Sequence, residues 1–402
     1  MDEGLRQIIA LLAVAMTVAI AARRLKLPYT VGLVFVGAAL ASISKTLGPH
    51  LTHDLIFDLI LPPLLFEAAL AIQWRELKRD LAPILLFATL GSALSMAAVT
   101  ALMMFALHWP LAPALVFGSL IAATDPVAII AMFKDNRMEG RLRLLIESES
   151  LLNDGAAAVL FGLSLEWAIS GGEGWTALGA LFNLLQVVAG GVAVGALFGG
   201  VAILAVGRTS DHLVEASLTT IVAFGSFLTA EYLHASGVLA TVIAGLIIGN
   251  LAVSSREESA FLTPKGREFV VSFWEFAAFL ANSVVFLLIG EDAAELPFAA
   301  YGIGTLLAAA GIALLGRALT VYPLGLCFSA SRWAFSLKEL NVMWWGGLRG
   351  ALSLALALAL PPQLPLRQDI IVVTFGVVAF SIVAQGLTMP PLLRMLGKPS
   401  PP

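Results

Sequence analysis

Long apolar runs, separated by short breaks that hold charges, proline or glycine, divide the chain into about thirteen predicted spans. The runs cover 5–22, 29–44, 54–73, 81–107, 111–133, 143–169, 175–206, 213–233, 237–252, 267–290, 297–326, 339–360 and 369–393. About 20 apolar residues let a helix cross a bilayer core. The pattern therefore predicts an all-α polytopic membrane protein whose polar parts are short loops. The first run lacks a basic lead-in and a small-residue cleavage motif, so it reads as a retained first helix. No linker sets off a second domain. A single membrane domain over 1–402, with no added cytoplasmic regulatory domain, is expected.

Composition agrees with that pattern. The chain is 59% hydrophobic and 12% charged, about half the charge of a typical soluble domain. The net charge of −4 sits in loops, with no basic patch suited to nucleic acid. One cysteine, Cys327, excludes an internal disulfide and a cysteine metal cluster. Five histidines lie near predicted helix ends, so no histidine site is expected at membrane depth.

The basic residues orient the chain. Of 23, 18 fall in alternate loops and the C-terminal tail, and only Arg6, Lys45 and Arg367 fall on the other side. By the positive-inside rule the N-terminus is outside and the C-terminus cytoplasmic. The remaining two, Arg317 and Arg349, lie within spans.

Three polar islands interrupt the apolar runs, although an ionised side chain at the bilayer centre costs about 2.5–3.5 kcal/mol. The first is ESESLLNDGAAAVLF, 147–161. On a helix its Ser150 and Asp154 form one stripe, and Glu149 with Asn153 forms the next. Glu147 points elsewhere and reads as a solvated residue at the helix entrance. The second is AATDPVAII, 122–130, where Pro126 disfavours helical geometry at Asp125. The helix is expected to break there and free carbonyl oxygens beside a hydroxyl and a carboxylate. A proline kink alone would explain Pro126 but not Asp125.

The third island, WWGGLRGALSLALAL at 344–358, sets three glycines around Arg349. Glycine allows irregular backbone and close helix approach; an arginine snorkelling to an interface is the competing reading. Arg317 sits deep in its span and needs a carboxylate partner, for which Glu149 is the first candidate. The first six and last six spans read as inverted repeats around a long seventh, with the breaks at Asp125 and Arg349 in corresponding positions. Paired interrupted helices of that kind point to a transporter with its site at their crossing, although the halves share no convincing sequence identity.

Together the islands resemble NhaP/NHE-type sodium/proton exchangers of the monovalent cation:proton antiporter family. The resemblance rests on LPPLLFEAAL (61–70), ATDPVAIIAMF (123–133), ESLLNDG (149–155), GLRGALSLALAL (347–358) and VAQGLTMPPLL (383–393). It implies a homodimer of thirteen-helix, inverted-repeat subunits with two broken crossing helices. Residues 81–170 and 297–397 would form an ion-transporting core, and 1–80 with 171–296 a dimerisation scaffold. By the same resemblance, Asp154 is the carboxylate that exchanges cation for proton. Thr124, Asp125, Ser150 and Glu149 are its neighbours in the cation site, with a Thr124 carbonyl contributing. Asn153 orients the site, Arg317 pairs with Glu149, and Arg349 supports the crossover. Ser148 stands where the family usually has glycine, and Glu147 adds an acid; both could alter access or working pH.

These residues suit a hard monovalent cation, which wants oxygen ligands. Burial disfavours an ionised carboxylate, so Asp154 would hold either a proton or a cation. Electrogenic relatives carry a second aspartate at the position of Asn153, whose amide cannot take up a proton and charge. With Glu149 tied to Arg317, electroneutral exchange of Na+ (or Li+) for H+ is expected, with no cofactor, in a prokaryotic inner membrane. A K+/H+ antiporter on the same framework and a gated cation channel are the rival readings. An intramembrane enzyme lacks a histidine base at membrane depth and a His/Cys metal cluster.

Overall fold

In the computed structural model, the described residues are 2–25, 28–43, 51–127, 129–130, 133, 140–173, 176–208, 211–253 and 262–395. Lys26, Lys45, Lys134, Arg137, Arg256 and Lys398 of the orientation argument lie outside them, as do His50 and Ala128, Ala131 and Met132 of the second island. The described chain is helical, with one isolated β-bridge.

The helices are α1 Asp2–Leu25, α2 Tyr29–Ile43, α3 Leu61–Ala71, α4 Leu81–Leu107, α5 Leu111–Leu120, α6 Arg141–Ser170, α7 Ala177–Val206 and α8 His212–Tyr232. They continue as α9 Gly237–Ile248, α10 Pro264–Glu295, α11 Ile303–Cys327, α12 Leu337–Trp345, α13 Ala351–Leu358, α14 Arg367–Phe380 and α15 Gly386–Met395. A π-helical turn, Ser381–Gln385, joins the last two. Among the described residues six helices are long and apolar enough to cross a membrane. Other predicted spans are shorter, interrupted or more polar. The twelfth is divided into α12 and α13, and α6 carries its own carboxylates along 30 residues.

Chain contacts divide the molecule into two compact units. One comprises Asp54–Leu81 and Glu173–Asn282. Within it α7 packs along α9 through glycines four residues apart. A Cβ on Gly191 would meet Ser236 and Leu239, one on Gly195 would meet Ala240 and Ile243, and one on Gly199 would meet Ile247. This small-residue stripe allows the close helix approach on which packing in lipid relies. Phe66 and Trp274 pack at a tilt in its apolar core, with ring centroids 4.6 Å apart, and the Trp274 indole donates to Thr219.

The other unit comprises Met1–His53, Ala82–Gly172 and Ser283–Pro402, so it groups the first two helices with the three polar islands. α5 packs between α4 and α6, and α11 lies along α4. An apolar cluster that includes Phe87, Ile146, Leu324, Met343, Leu348 and Met389 surrounds one side of the two interrupted helices. All the sequence-selected polar residues lie in this unit.

Candidate functional site

The site begins where α5 fails. After Leu120 the chain makes a turn, runs extended through Thr124 and Asp125, and becomes helical again at Val127. Proline supplies no N–H and suits a first helical position. Asp125 immediately before it acts as the cap, accepting the Val127 N–H at 2.9 Å. The opposing span does the same in its own way. α12 starts on a reciprocal cap between Ser336 and Glu339, ends at Trp345, and α13 starts at Ala351. The intervening glycines let the backbone leave the helix, and Leu348 pairs with Asp125 in an antiparallel bridge.

Two broken helices placed this way expose four helix ends, each with unpaired backbone groups and a partial charge. Oppositely charged side chains meet them, starting with Asp125 as the cap of the helix that resumes at Val127. At the carbonyl end of α5, Arg349 Nη1 donates to Ala123 O at 2.8 Å, while Ser353 donates to Leu120 O at 2.9 Å. At the N-terminus of α13, the Ala351 N–H faces the Asp125 carboxylate. A side chain at position 350 would collide with that carboxylate, which explains the glycine there.

α6 brings the remaining polar groups alongside. Ser150 donates to the Thr124 carbonyl. Asn153 Nδ2 donates to Thr124 Oγ1 at 2.6 Å and to Glu149 Oε1 at 3.2 Å, while its Oδ1 accepts from Thr124 N at 3.3 Å. One amide thus ties the break in α5 to the carboxylate behind it. Glu149 is 2% exposed and accepts both terminal nitrogens of Arg317, at 2.7 and 2.8 Å. Such a fork is among the stronger polar contacts, and it neutralises a charge that would otherwise be stranded. Arg317 also donates to Met343 O at 3.3 Å, reaching the end of α12.

Asp154 differs from these neighbours. It lies one residue beyond Asn153 on α6, partly exposed, with no hydrogen-bond partner among the described residues, and Asp125 and Glu149 are the charges that act on it. With Glu149 already paired to Arg317, the Asp154 carboxylate is left for a cation to compensate. Among the described residues, three carboxylates (Asp125, Glu149, Asp154) against two guanidinium groups (Arg317, Arg349) leave one negative charge in excess. Glu147 stands apart from this cluster and pairs with Arg143 one turn earlier, at 3.6 Å. Ser148 is buried, with no partner for its hydroxyl among the described residues.

The sequence reading therefore selected residues that the fold brings together: Thr124, Asp125, Glu149, Ser150, Asn153, Asp154, Arg317 and Arg349. It missed Ser353, Ser381 and Gln385. Ser381 Oγ accepts the Arg349 N–H at 3.0 Å, and Gln385 donates to Trp345 O at 2.6 Å. The available signal was a serine and a glutamine four residues apart in a span with few other polar groups.

Comparison with known proteins gives consistent findings. A family profile described as "Sodium/hydrogen exchanger, transmembrane" matches residues 9–395. The Na(+)/H(+) antiporter ApNhaP of Aphanothece halophytica is 39% identical over 401 residues, covering 98% of this chain and 75% of that one. The Na(+)/H(+) antiporter NhaH of Halobacillus aidingensis is 34% identical over 407 residues, covering 97% of each. Among solved structures, the sodium proton antiporter MjNhaP1 of Methanocaldococcus jannaschii superposes with a TM-score of 0.76. At 21% identity it covers 97% of this chain and 98% of its own.

Proposed function

Because this chain belongs to the sodium/hydrogen exchanger family, we propose that it is a secondary antiporter exchanging Na+, or Li+, for H+ across a cell membrane. The chain is a multi-pass membrane protein, and its family is one of transporters. The observation that carries the specific reading is the Asp154 carboxylate beside two broken helices, without a hydrogen-bond partner among the described residues.

The exchange follows from charge. When Asp154 is empty and ionised, the cluster holds one uncompensated negative charge, and moving it through a low-dielectric barrier is costly. One proton or one monovalent cation removes that charge. The loaded site is then electrically neutral in either form, so it can face each side in turn, whereas the empty site cannot. Thr124, Ser150 and Asp125 supply further oxygens to a cation, as hard cations require. Asn153 holds Thr124 in place. Glu149 and Arg317 cancel each other and stay out of the exchange, and Arg349 braces the crossing.

On this reading one proton moves for each cation, without net charge. The ion-carrying segments 81–170 and 297–397 move against a scaffold formed by 1–80 and 171–296, which also makes a homodimer contact. The N-terminus is outside, the C-terminus is cytoplasmic, and the membrane is a prokaryotic inner membrane. No cofactor takes part.

The test is proton flux in proteoliposomes, with each alkali cation supplied in turn across a pH series. Sodium-driven proton movement that is insensitive to an imposed voltage is expected. Conductance without proton counterflow would replace the antiporter with a channel, and flux with potassium alone would move the assignment to a K+/H+ antiporter.

A further inference from the structure

The last transmembrane segment contains a feature that the exchange scheme has not used. Between α14 and α15 the chain forms the π-helical turn Ser381–Gln385. An extra residue in a helical turn disturbs the regular hydrogen-bond ladder, and such turns recur at functional sites. Here the first and last residues of the turn are polar, both are 1–2% exposed, and both reach the same neighbour.

That neighbour is the break between α12 and α13. Gln385 Nε2 donates to Trp345 O, the final residue of α12, at 2.6 Å. Ser381 Oγ accepts the Arg349 N–H at 3.0 Å, with Arg349 O at the same distance from that hydroxyl. The two side chains therefore hold the interrupted backbone at both of its edges. Neither touches Asp154, Asp125 or Thr124 in any described contact. Their effect passes through the segment they hold. Leu348 O accepts from Asp125 N at 2.7 Å, and the Arg349 side chain donates to Ala123 O, next to Thr124. A small cavity beside the break is lined by Arg317, Arg349, Ser381 and Gln385 on one part and by apolar side chains that include Leu314 and Phe380 on the rest.

We infer that Ser381 and Gln385 are positioning residues for cation binding: they fix the register of the α12–α13 break and thereby the placement of Thr124 and Asp125. The inference rests on the antiporter reading above. Side chains that orient a metal's ligands without touching the metal commonly change affinity by about 10–100-fold when removed. A shift toward the lower end of that range is expected here.

The experiment compares Ser381→Ala, Ser381→Thr, Gln385→Leu and Thr374→Val in the full-length protein. Thr374 is a buried hydroxyl on α14 whose one hydrogen bond among the described residues goes to Ile370 O, one turn back in its own helix. Two quantities are measured: half-saturating sodium for exchange in proteoliposomes, and the sodium-dependent rise in melting temperature in detergent. Ser381→Ala and Gln385→Leu should raise half-saturating sodium about tenfold and weaken sodium's stabilising effect. Maximal flux should change less. Ser381→Thr, which keeps the hydroxyl, should restore affinity, and Thr374→Val should leave it unchanged. Equal affinity in Ser381→Ala, Gln385→Leu and wild type would overturn the positioning role while leaving the antiporter reading intact. Lowered affinity in Thr374→Val to the same degree would overturn it too, as a general effect of losing a buried hydroxyl. A wild-type protein that neither exchanges nor is stabilised by sodium would remove the antiporter reading, and this inference with it.

Discussion

The Asp125 N–H donates to Leu348 O at 2.7 Å, and the two residues form an antiparallel bridge between helices that have both come apart. Irregular backbone survives at membrane depth only where protein or a water-filled cavity satisfies it. The bridge is part of that satisfaction. It also frees the Asp125 side chain for two other tasks, capping the helix that resumes at Val127 and facing the N-terminus of α13.

Those two tasks can be separated by substitution. Asparagine caps helices about as well as aspartate, so Asp125→Asn should keep melting close to wild type while removing the charge. Exchange should fall strongly. Asp125→Ala should lose the cap as well and cost a further ~0.5–2 kcal/mol of stability. Wild-type flux in the asparagine variant would show that the charge has no part in transport.

The Glu149–Arg317 fork makes a prediction about stability rather than flux. Either single replacement, Glu149→Gln or Arg317→Met, leaves one buried partner without its counter-ion, at a cost of about 3–5 kcal/mol. Combining them strands nothing of that kind, so the double variant should be more stable than the sum of the single losses implies, by about 0.5–3 kcal/mol. Strict additivity in thermal or denaturant unfolding would mean that the fork contributes no coupling.

How far the sequence exposed this site depends on how each part is encoded. Charged residues in apolar runs are costly in lipid, so Asp125, Asp154, Glu149, Arg317 and Arg349 stand out without a structure. Pro126 and the glycines around Arg349 mark the two breaks for the same local reason. The contacts that lock the breaks were less visible because backbone carbonyls supply them: Ala123 O, Leu348 O, Trp345 O and Leu120 O carry no residue-specific signature. Ser353 was correspondingly silent, and Ser381 and Gln385 gave only a weak signal, since a serine or glutamine in a span can bond within its own helix. Span counting met a similar obstacle. A helix broken at its functional centre yields two short halves, such as α12 and α13, and neither half is long enough to cross a bilayer alone.

Asp154→Asn offers a test in which folding and transport move in opposite directions. The carboxylate has no described hydrogen bond to lose, and the like charge of Asp125 opposes it. Replacing it with a neutral amide removes that repulsion, so the variant should melt at or above the wild-type temperature in sodium-free buffer. Exchange should drop to the level of protein-free vesicles, and sodium should no longer stabilise the protein. A large loss of stability would indicate instead that Asp154 has a structural role.

Competition for one carboxylate also fixes the sign of the pH response. Protons and sodium exclude each other from Asp154, so each favours release of the other by the same linkage. Below the pH at which the empty site becomes half-protonated, the proton concentration rises tenfold with each unit. Half-saturating sodium should therefore rise by about tenfold per unit of acidification. Saturating sodium displaces the proton, so the maximal rate should change far less than the half-saturating concentration over that range. Above that pH the half-saturating value should level off, because few protons remain to compete. The measurement is a family of sodium titrations of flux, with equal pH on both faces of the vesicle. If acidification lowers the maximal rate while half-saturating sodium stays constant, the proton acts at a different group, and exchange through a single shared carboxylate is excluded.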